Sequence, residues 1–398
     1  MRRPVCRALA AAAVLAFAGC GGSGGSGVAS TSSPSPSRSA ESSMGPGAAN
    51  TSPDHGTGTA LSSDPGTSSV APATPGDAGG AVTLAFGGDI HFEEYLRPLA
   101  GDPEGLAALK PLWGAADLRM ANLETAITER GAPIGKEFHF RTPASALTTL
   151  ANAGLTVLTE ANNHGVDFGP DGLSDTLAAR ASSPIPIVGI GTGESDAYAP
   201  ALLTVGGLKI AVFGADQVYE MTLANYSAGA TKAGVASALP DTRIVKAVTA
   251  IRDEVDLVVV YLHWGLDYQQ CPDGQSIATA KDLEAAGADV IVGAHSHRVN
   301  GAGWLGTAYV AYGLGNFVWW RSAEPDSRTG ILTLTVDAAA ARAARPGSRT
   351  TPVVTNATWL PLLIGRDGIP ARVSPADSHR LHTVWDQARA CTGLAASP

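Results

Sequence analysis

Short apolar runs that alternate with helix-forming segments are the feature that most restricts the fold of this sequence. The clearest run, VDLVVVYLH at 255–263, is nearly all apolar and has the length of one strand buried on both faces. Strands of this kind separated by helices predict an α/β layered fold. Two later segments, 330–337 and 353–363, alternate apolar with polar or small residues. They predict half-exposed antiparallel strands, in a mixed sheet or in a second sheet.

The same patterns predict the remaining elements of the folded region. Further strands are predicted at 82–86, 118–122, 155–158, 185–191, 208–215, 288–294 and 307–313. Helices are predicted at 104–115, 146–154, 169–181, 241–253 and 275–286.

Polar side chains follow six of these strands, and five of the nine histidines stand at such strand ends. In open α/β sheets, ligands bind outside the carboxyl ends of the strands, so these groups are expected at one rim. They are, in chain order, Asp89 and His91, Asn122 and Glu124, Asn163 and His164, His263, His295 and His297, and Asn316.

The donor atoms at this rim suit divalent metal ions. Two carboxylates and several imidazoles are ligands for Zn, Mn or Fe, and they are numerous enough for two ions. A pair of ions is what in-line phosphoester hydrolysis requires. Each motif alone has an ordinary explanation, since a single Asp-x-His or Asn-Asn-His is more often a turn than a ligand set. The six together indicate a site.

The first 80 residues are interpreted as export and tethering segments. Residues 1–19 have a basic start, a short apolar run and small residues before Cys20, as in a lipoprotein signal peptide. An ordinary signal peptide cleaved nearby is the alternative. Residues 20–80 are rich in Gly, Ser, Pro, Thr and Ala, which predicts a lipidated Cys20 followed by a disordered tether. The membrane would then be reached through the lipid anchor only, at the outer face of a bacterial cell membrane.

Charge and cysteine content restrict the partners. The formal net charge is −9, and loss of three arginines with the signal peptide would make the chain more acidic still, which disfavours nucleic-acid binding. An anionic polymer would need the metal ions or a local basic patch, for which Arg141 and Arg298 are candidates. Cys271 and Cys391 are expected to be able to pair as a disulfide in an exported protein.

At this point the sequence resembles the CapA family, which is linked to poly-gamma-glutamate capsule synthesis and is similar in fold to calcineurin-like metallophosphatases. The resemblance covers about residues 82–320. The matching stretches are GGDIHF, NLE, FRTP, ANNHGVDFG, HWGLDY, GAHSHRVN and YGLGNF. It implies a layered α/β/β/α sandwich of mixed sheets flanked by helices over 81–337. Residues 338–398 would add C-terminal strands and a helix that complete the domain.

The resemblance also implies roles for the rim residues and two divalent ions, Mn, Fe or Zn. Asp89, His91 and His297 would bind the first ion, Asn163, His263 and His295 the second, and Glu124 both. His164 would protonate or steady the leaving oxygen, and Asp167 would either orient His164 or cap the following helix. Asn316 is assigned to substrate binding. Arg141 is also assigned there, because its planar guanidinium can hold a carboxylate or phosphate with two hydrogen bonds, and a structural salt bridge is the alternative. Three positions depart from the family pattern, namely Glu160, Asp267 and Ser296.

Three functions are compatible with this interpretation. The first is a cell-surface phosphoester hydrolase with two metal ions, acting in capsule or envelope polymer synthesis on a phosphoester or an anionic polymer. The second is a non-catalytic accessory protein in a capsule synthesis or export complex. The third is an amide-bond hydrolase or transferase that acts on glutamyl polymers.

Overall fold

A computed structural model describes residues 80–343 and 349–398. The predicted signal peptide, the lipidation of Cys20 and all of the tether but its last residue lie outside the described residues. Within those two ranges, no helix is long and apolar enough to cross a membrane.

Eighteen strands and nine α-helices occur in the described ranges. The strands are β1 (Ala81–Ile90), β2 (Leu118–Leu123), β3 (Ala126–Ile127), β4 (Arg141–Thr142), β5 (Val157–Thr159), β6 (Ile187–Val188), β7 (Ile190–Gly191), β8 (Ala201–Val205), β9 (Leu208–Asp216), β10 (Gly234–Val235), β11 (Leu257–Trp264), β12 (Val290–His295), β13 (Ala302–Leu305), β14 (Ala308–Ala311), β15 (Asn316–Val318), β16 (Arg328–Asp337), β17 (Val354–Ile364) and β18 (Pro370–Arg372). The helices are α1 (Arg97–Gly101), α2 (Ala146–Asn152), α3 (Gly169–Ala181), α4 (Glu194–Ala197), α5 (Met221–Tyr226), α6 (Thr242–Ile251), α7 (Gly274–Ala285), α8 (Ala338–Ala343) and α9 (Pro375–Arg389).

Two large mixed sheets carry the fold. The first has the order β18-β17-β16-β1-β2-β5-β6, with β15 also paired to β1, and the second has the order β13-β14-β12-β11-β9-β8. In the first sheet, β1, β2, β5 and β6 run parallel, whereas β16, β17 and β18 pair antiparallel. The second sheet has four parallel strands, β9, β11, β12 and β14, between antiparallel outer strands.

The two sheets pack face to face, with helices on the outside. Phe86 and Met120 of the first sheet share one buried cluster with Val212, Tyr261 and Val292 of the second. On the outer face of the first sheet, the leucines of α2 pack in another cluster. The leucine and isoleucine side chains of α6 and α7 cover the second sheet. Burial of each such side chain stabilises the fold by about 1.5–3 kcal/mol. The expected α/β/β/α layering of mixed sheets is confirmed.

Two local predictions are wrong, each for a physical reason. The segment predicted as a helix at 104–115 contains a 3-10 segment, Ala107–Trp113, with Pro111 inside it, where the ring removes a backbone donor. The strand predicted at 185–191 is split into β6 and β7 by Gly189, whose φ is +88°. The two halves then pair with different strands, β5 and β10.

The backbone at the His-x-His motif departs from an extended strand. Alternate residues of an extended chain would point the same way, but His295 has a φ of +95° and His297 a φ of +52°. The chain therefore leaves β12 through two left-handed residues, which non-glycine side chains adopt only under strain. Strain of this kind is most often retained at functional sites.

Candidate metal centre

The predicted ligands converge where strands of both sheets end. Asp89 and Glu124 come from the ends of β1 and β2, and His263 and His295 come from the ends of β11 and β12. Two sets of donor atoms each lie within 4.8 Å of one another, namely Glu124, His263 and His295, and Asp89, Glu124 and His297. Glu124 belongs to both sets, so it stands where a bridging ligand would stand.

Glu124 is the strongest sign that these residues fit metal ions. Its carboxylate is fully buried, and neither oxygen has a hydrogen-bond partner among the described residues. Oε1 lies 3.6 Å from His263 Nε2 and 3.7 Å from His164 Nε2. Burial, with repulsion from Asp89, raises the pKa of Glu124 well above its ordinary value. A buried carboxylate without partners is expensive, and divalent ions would supply the missing charge.

Asp89 is held more firmly than Glu124. Oδ1 accepts a hydrogen bond of 2.8 Å from Asn122 Nδ2, and Oδ2 accepts one of 3.2 Å from the backbone N–H of His295. Burial raises the pKa of Asp89 to about 7, and these hydrogen bonds oppose the rise. The backbone hydrogen bond joins the end of β1 to the turn after β12, so it fixes the two halves of the site relative to each other.

The histidines of the site are neutral at physiological pH. Burial lowers the pKa of His295 and of His297 to about 4, and it lowers that of His263 well below the ordinary value. Neutral imidazole is the form that binds metal. His297 Nδ1 lies 2.8 Å from Asn316 Oδ1, so Nδ1 carries the proton and Nε2 keeps its lone pair.

Asn163 and His263 are in direct contact. His263 Nε2 lies 3.0 Å from Asn163 Oδ1, and His263 Nδ1 lies 3.1 Å from Asn122 Nδ2. Because Asn122 donates, His263 carries its proton on Nε2 and donates to Asn163. An ion bound by His263 Nε2 would therefore replace this hydrogen bond, leaving the Asn163 oxygen beside the same ion.

His91 stands apart from both sets of donor atoms. Its Nδ1 accepts a hydrogen bond of 3.0 Å from the backbone N–H of Glu93, which places the ring proton on Nε2. The ring packs against Phe140, Trp319 and Trp320, with centroid distances of 4.1–4.6 Å. Nε2 of His91 is buried and has no hydrogen-bond partner among the described residues, and the ligand role of His91 stays a prediction.

His164, Asp167 and Lys136 form a buried chain of polar contacts beside Glu124. His164 Nδ1–H donates to Asp167 Oδ2 at 2.6 Å, and Asp167 Oδ1 lies 2.8 Å from Lys136 Nζ. Asp167 Oδ2 also accepts a hydrogen bond of 2.7 Å from the backbone N–H of Phe140. Asp167 therefore orients His164, and Phe168, not Asp167, is the residue that precedes α3 as its N-cap.

Lys136 lines the cavity of this site although no sequence motif indicated it. Its ammonium is mostly buried, and it donates a hydrogen bond of 2.7 Å to the backbone carbonyl of Asn163. It follows no strand and belongs to no ligand motif, so only its charge in the segment before FRTP could have drawn attention to it. Asn162, the first asparagine of ANNHGVDFG, donates to Asn122 Oδ1 at 3.0 Å, a positioning contact that the motif alone did not assign to it.

A cavity of about 490 Å³ opens over the candidate metal ligands. Asn163, His164, His295 and His297 form part of its wall. Five of its other lining residues are aromatic or large and apolar side chains with an exposed or half-exposed surface, namely Phe138, Tyr219, Met221, Tyr268 and Trp320.

The two residues assigned to substrate binding differ in their position relative to the cavity. Asn316 lines the cavity, where it holds His297, and its Nδ2 donates to the backbone carbonyl of Asp326 at 2.9 Å. Arg141 is not among the lining residues. Its guanidinium carbon lies 3.3 Å from the ring centroid of Phe168, and its Nη1 donates to the backbone carbonyl of Glu129 at 3.4 Å.

The three departures from the family pattern have distinct surroundings. Asp267 Oδ1 lies 3.5 Å from His295 Nε2 at the cavity wall, so a carboxylate still faces this histidine. Ser296 Oγ donates to Asn300 Oδ1 at 3.1 Å. Glu160 is fully buried, has no hydrogen-bond partner among the described residues, and burial raises its pKa well above the ordinary value.

Cys271 and Cys391 form a disulfide, with their Cα atoms 5.7 Å apart. Cys271 follows Asp267 and Tyr268 in the segment between β11 and α7. The bridge therefore ties a segment of the cavity wall to the residues after α9.

Comparison with known proteins places these observations in a family. The sequence model described as "Bacterial capsule synthesis protein PGA_cap" matches residues 83–319. The "PGA biosynthesis protein CapA" of Bacillus subtilis is 30% identical over 253 residues, which are 61% of this chain and 66% of that protein. The "Capsule biosynthesis protein CapA" of Bacillus anthracis is 33% identical over 257 residues, 61% of this chain and 62% of that protein.

The matched region is therefore less than two thirds of the length of these two relatives. Among solved structures, a phosphatase from Mycoplasma pneumoniae aligns with a TM-score of 0.45 and 15% identity, over 72% of this chain and 94% of that one.

Proposed function

Because this chain belongs to the bacterial capsule synthesis protein family PGA_cap, we propose that it is a metal-dependent phosphoester hydrolase that acts in the synthesis of a capsule or another anionic envelope polymer. The family resemblance drawn from the sequence motifs is confirmed. The observation that carries the proposed activity is the pair of donor sets that share the unpartnered, buried Glu124.

The donor sets suit two divalent ions of the Mn, Fe or Zn type. Asp89, Glu124 and His297 would hold one ion, and Glu124, His263 and His295 the other. Divalent ions in such a site lower the pKa of water and neutralise the charge that develops on phosphoryl oxygens during in-line displacement. With ions bound, the two buried carboxylates would stay ionised in spite of their raised pKa values.

His164 is the residue best placed to move a proton. Its Nδ1–H is held by Asp167, and its Nε2 lies 3.7 Å from Glu124 Oε1 at the wall of the cavity. Burial and nearby Lys136 lower the pKa of His164 well below the ordinary value, so its Nε2 is free to accept a proton. That proton would come from the attacking water, and the imidazolium formed, stabilised by Asp167, would donate it to the leaving oxygen.

We propose that the protein works at the outer face of the cell membrane, anchored by a lipid on Cys20. The basic, apolar and small-residue order of residues 1–19 supports this location. The disulfide between Cys271 and Cys391 also supports export, because such bridges persist in oxidising compartments.

The test combines metal analysis with turnover. Purified protein is loaded with Mn or Zn and compared with Asp89→Ala, His295→Ala and a control, His379→Ala, which alters an exposed histidine of α9. About two ions per chain and phosphoester turnover are expected in the parent and the control, with both reduced in the site variants.

Two results would overturn the hydrolase proposal in different ways. If the protein binds no metal, the hydrolase proposal fails, and the non-catalytic accessory function in a polymer synthesis complex is the remaining candidate. Protein that binds two ions but releases glutamate from a γ-glutamyl polymer, with no phosphoester turnover, would identify the amide-bond activity instead.

A further inference from the structure

A second cavity, of about 340 Å³, lies next to the metal-site cavity and shares the side chain of Tyr268 with it. We propose that this second cavity is an anion subsite, which binds an acidic unit of a polymeric substrate while a neighbouring unit of the same chain lies at the metal centre. The inference rests on the proposed function for the metal centre, but the subsite itself is argued from separate residues.

The charged residues of the second cavity favour an anion. Arg298 and Arg328 line it together with one carboxylate, Glu324. Arg298 uses only Nη1 in its hydrogen bonds, to the carbonyl of His297 and to Asp326, and Arg328 uses only Nε, to Glu324. A guanidinium has five N–H donors, so each of these described arginines keeps donors for a carboxylate or a phosphate.

The metal-site cavity, in contrast, has more acidic than basic side chains at its wall. Glu137, Glu220, Asp267 and Asp326 face only Lys136 and Arg321 in the described part of the chain. Lys136 and Arg321 are paired with Asp167 and Asp326, just as Arg298 and Arg328 are paired with Asp326 and Glu324, so the contrast between the cavities lies in the number of charges of each sign. One acidic unit could be drawn to bound metal ions there, but further units of a polyanion would be repelled. The arginine cavity is the adjacent place where the next unit would be attracted.

Tyr268 forms the boundary between the two cavities and is held in place by several contacts. It has a φ of +62°, which is strained for a tyrosine, and its N–H donates to the carbonyl of Ser296 at 2.8 Å. Its hydroxyl accepts a hydrogen bond of 3.2 Å from Arg321, and the guanidinium carbon of Arg298 lies 4.9 Å from its ring centroid. The fixed, half-exposed ring would position a chain that passes from one cavity to the other.

The test is direct binding measured by calorimetry, with the full-length, metal-loaded protein. The probes are free glutamate and a linear decamer of γ-linked glutamate. The variants are Arg328→Gln and Tyr268→Ala, with Arg366→Gln as the control that removes an exposed arginine elsewhere.

We expect the decamer to bind the parent at least tenfold more tightly than glutamate. Arg328→Gln should lose about tenfold of the decamer affinity, the effect of one hydrogen bond to a charged group, with glutamate binding unchanged.

The turnover of a small aryl phosphate separates this inference from the hydrolase proposal. Arg328 lies outside the metal centre, so its variant should keep the metal content and the aryl phosphate turnover of the parent. If the protein turns over no phosphoester but shows length-dependent binding that Arg328→Gln weakens, the subsite stands and the hydrolase proposal fails. Equal affinity for decamer and glutamate, or an equal loss in Arg366→Gln, would overturn the subsite.

Discussion

Nδ1 of His164 lies 2.6 Å from Oδ2 of Asp167, and both side chains are buried, with His164 at the wall of the metal-site cavity. The second carboxylate oxygen of Asp167 pairs with Lys136 at 2.8 Å. Burial raises the pKa of Asp167 to about 6, with Lys136 and the backbone N–H of Phe140 opposing the rise. Asp167 is therefore ionised at neutral pH, and it fixes both the orientation and the tautomer of His164.

Asp167→Asn should impair catalysis without removing metal. The amide can present its N–H₂ to His164, which would move the ring proton to Nε2 and remove the lone pair needed to accept a proton. We expect kcat to fall by about 10²-fold or more, within the range for loss of acid–base catalysis. The measurement is the pH profile of kcat together with metal content by elemental analysis.

The control for this variant is Asp171→Asn, which alters an exposed carboxylate in the first turn of α3. It should leave kcat and metal content unchanged. A parent-like kcat in Asp167→Asn would show that His164 needs no orienting carboxylate, and a loss of metal in that variant would show that Asp167 supports the ligands instead.

The individual strands and helices could be predicted from the sequence more closely than the geometry between them. Apolar runs such as 255–263 and the Gly-Pro start of α3 are local signals, so they locate β11 and α3 closely. The break at Gly189 could not be predicted in this way. The split of one apolar run into β6 and β7 depends on which strands lie beside each half, and that is not a local property of the sequence.

The same limit applies to the candidate site. Asp89, Glu124, His263 and His295 follow strands, and strand ends meet at one rim, so their convergence could be expected from the sequence. Lys136 could not, since it is brought to Asp167 by the long segment between β3 and β4. The sequence predicts Arg298 as a candidate for a basic patch that attracts an anionic polymer, but its place beside Tyr268 follows from the left-handed turn after β12.

Removal of metal should destabilise the parent but not Glu124→Gln. Each independent site loaded at about 100 times its dissociation constant stabilises the fold by about 2.7 kcal/mol. Chelation should therefore lower the Tm of the parent, whereas Glu124→Gln, which lacks the shared ligand, should show little change. Differential scanning calorimetry with and without EDTA measures both responses.

In EDTA, the order of stability of the parent and Glu124→Gln should be the reverse of the order with metal bound. The unpartnered Glu124 carboxyl has a raised pKa, so its ionisation above about pH 4.5 favours the unfolded chain. Glu124→Gln should then be more stable than the metal-free parent at pH 7. Equal Tm shifts on chelation in the two proteins would mean that Glu124 is not a metal ligand.

Glu160 should make the protein less stable as the pH rises. Its carboxyl is buried without a partner among the described residues, and burial raises its pKa well above the ordinary value. In the unfolded chain the group ionises at about pH 4.5, so between that pH and the raised pKa the unfolded state gains stability. Each tenfold difference in acidity between the folded and unfolded states lowers the free energy of unfolding by about 1.4 kcal/mol.

We therefore expect Glu160→Gln to raise the free energy of unfolding at pH 7 and to have little effect at pH 4. Chemical denaturation across this pH range in EDTA measures the difference. Glu104→Gln, at an exposed position, is the matched control. A stabilisation by Glu160→Gln that does not depend on pH would show that amide packing, not ionisation, is responsible.

Breaking the disulfide should weaken both the fold and the boundary between the two cavities. The bridge from Cys271 to Cys391 closes a loop with a sequence separation of 120, and restriction of the unfolded chain by such a loop is worth about 3–5 kcal/mol. Cys271 is three residues from Tyr268, whose strained backbone needs fixed surroundings.

The variant carrying both Cys271→Ser and Cys391→Ser should unfold at a lower denaturant concentration and bind the γ-glutamate decamer less tightly. Its aryl phosphate turnover should change less, because neither Cys271 nor Cys391 belongs to a donor set, and the chemically reduced parent should match the variant in all three measurements. Unchanged decamer affinity in a clearly destabilised variant would show that the Ser296 and Arg321 contacts hold Tyr268 without the bridge.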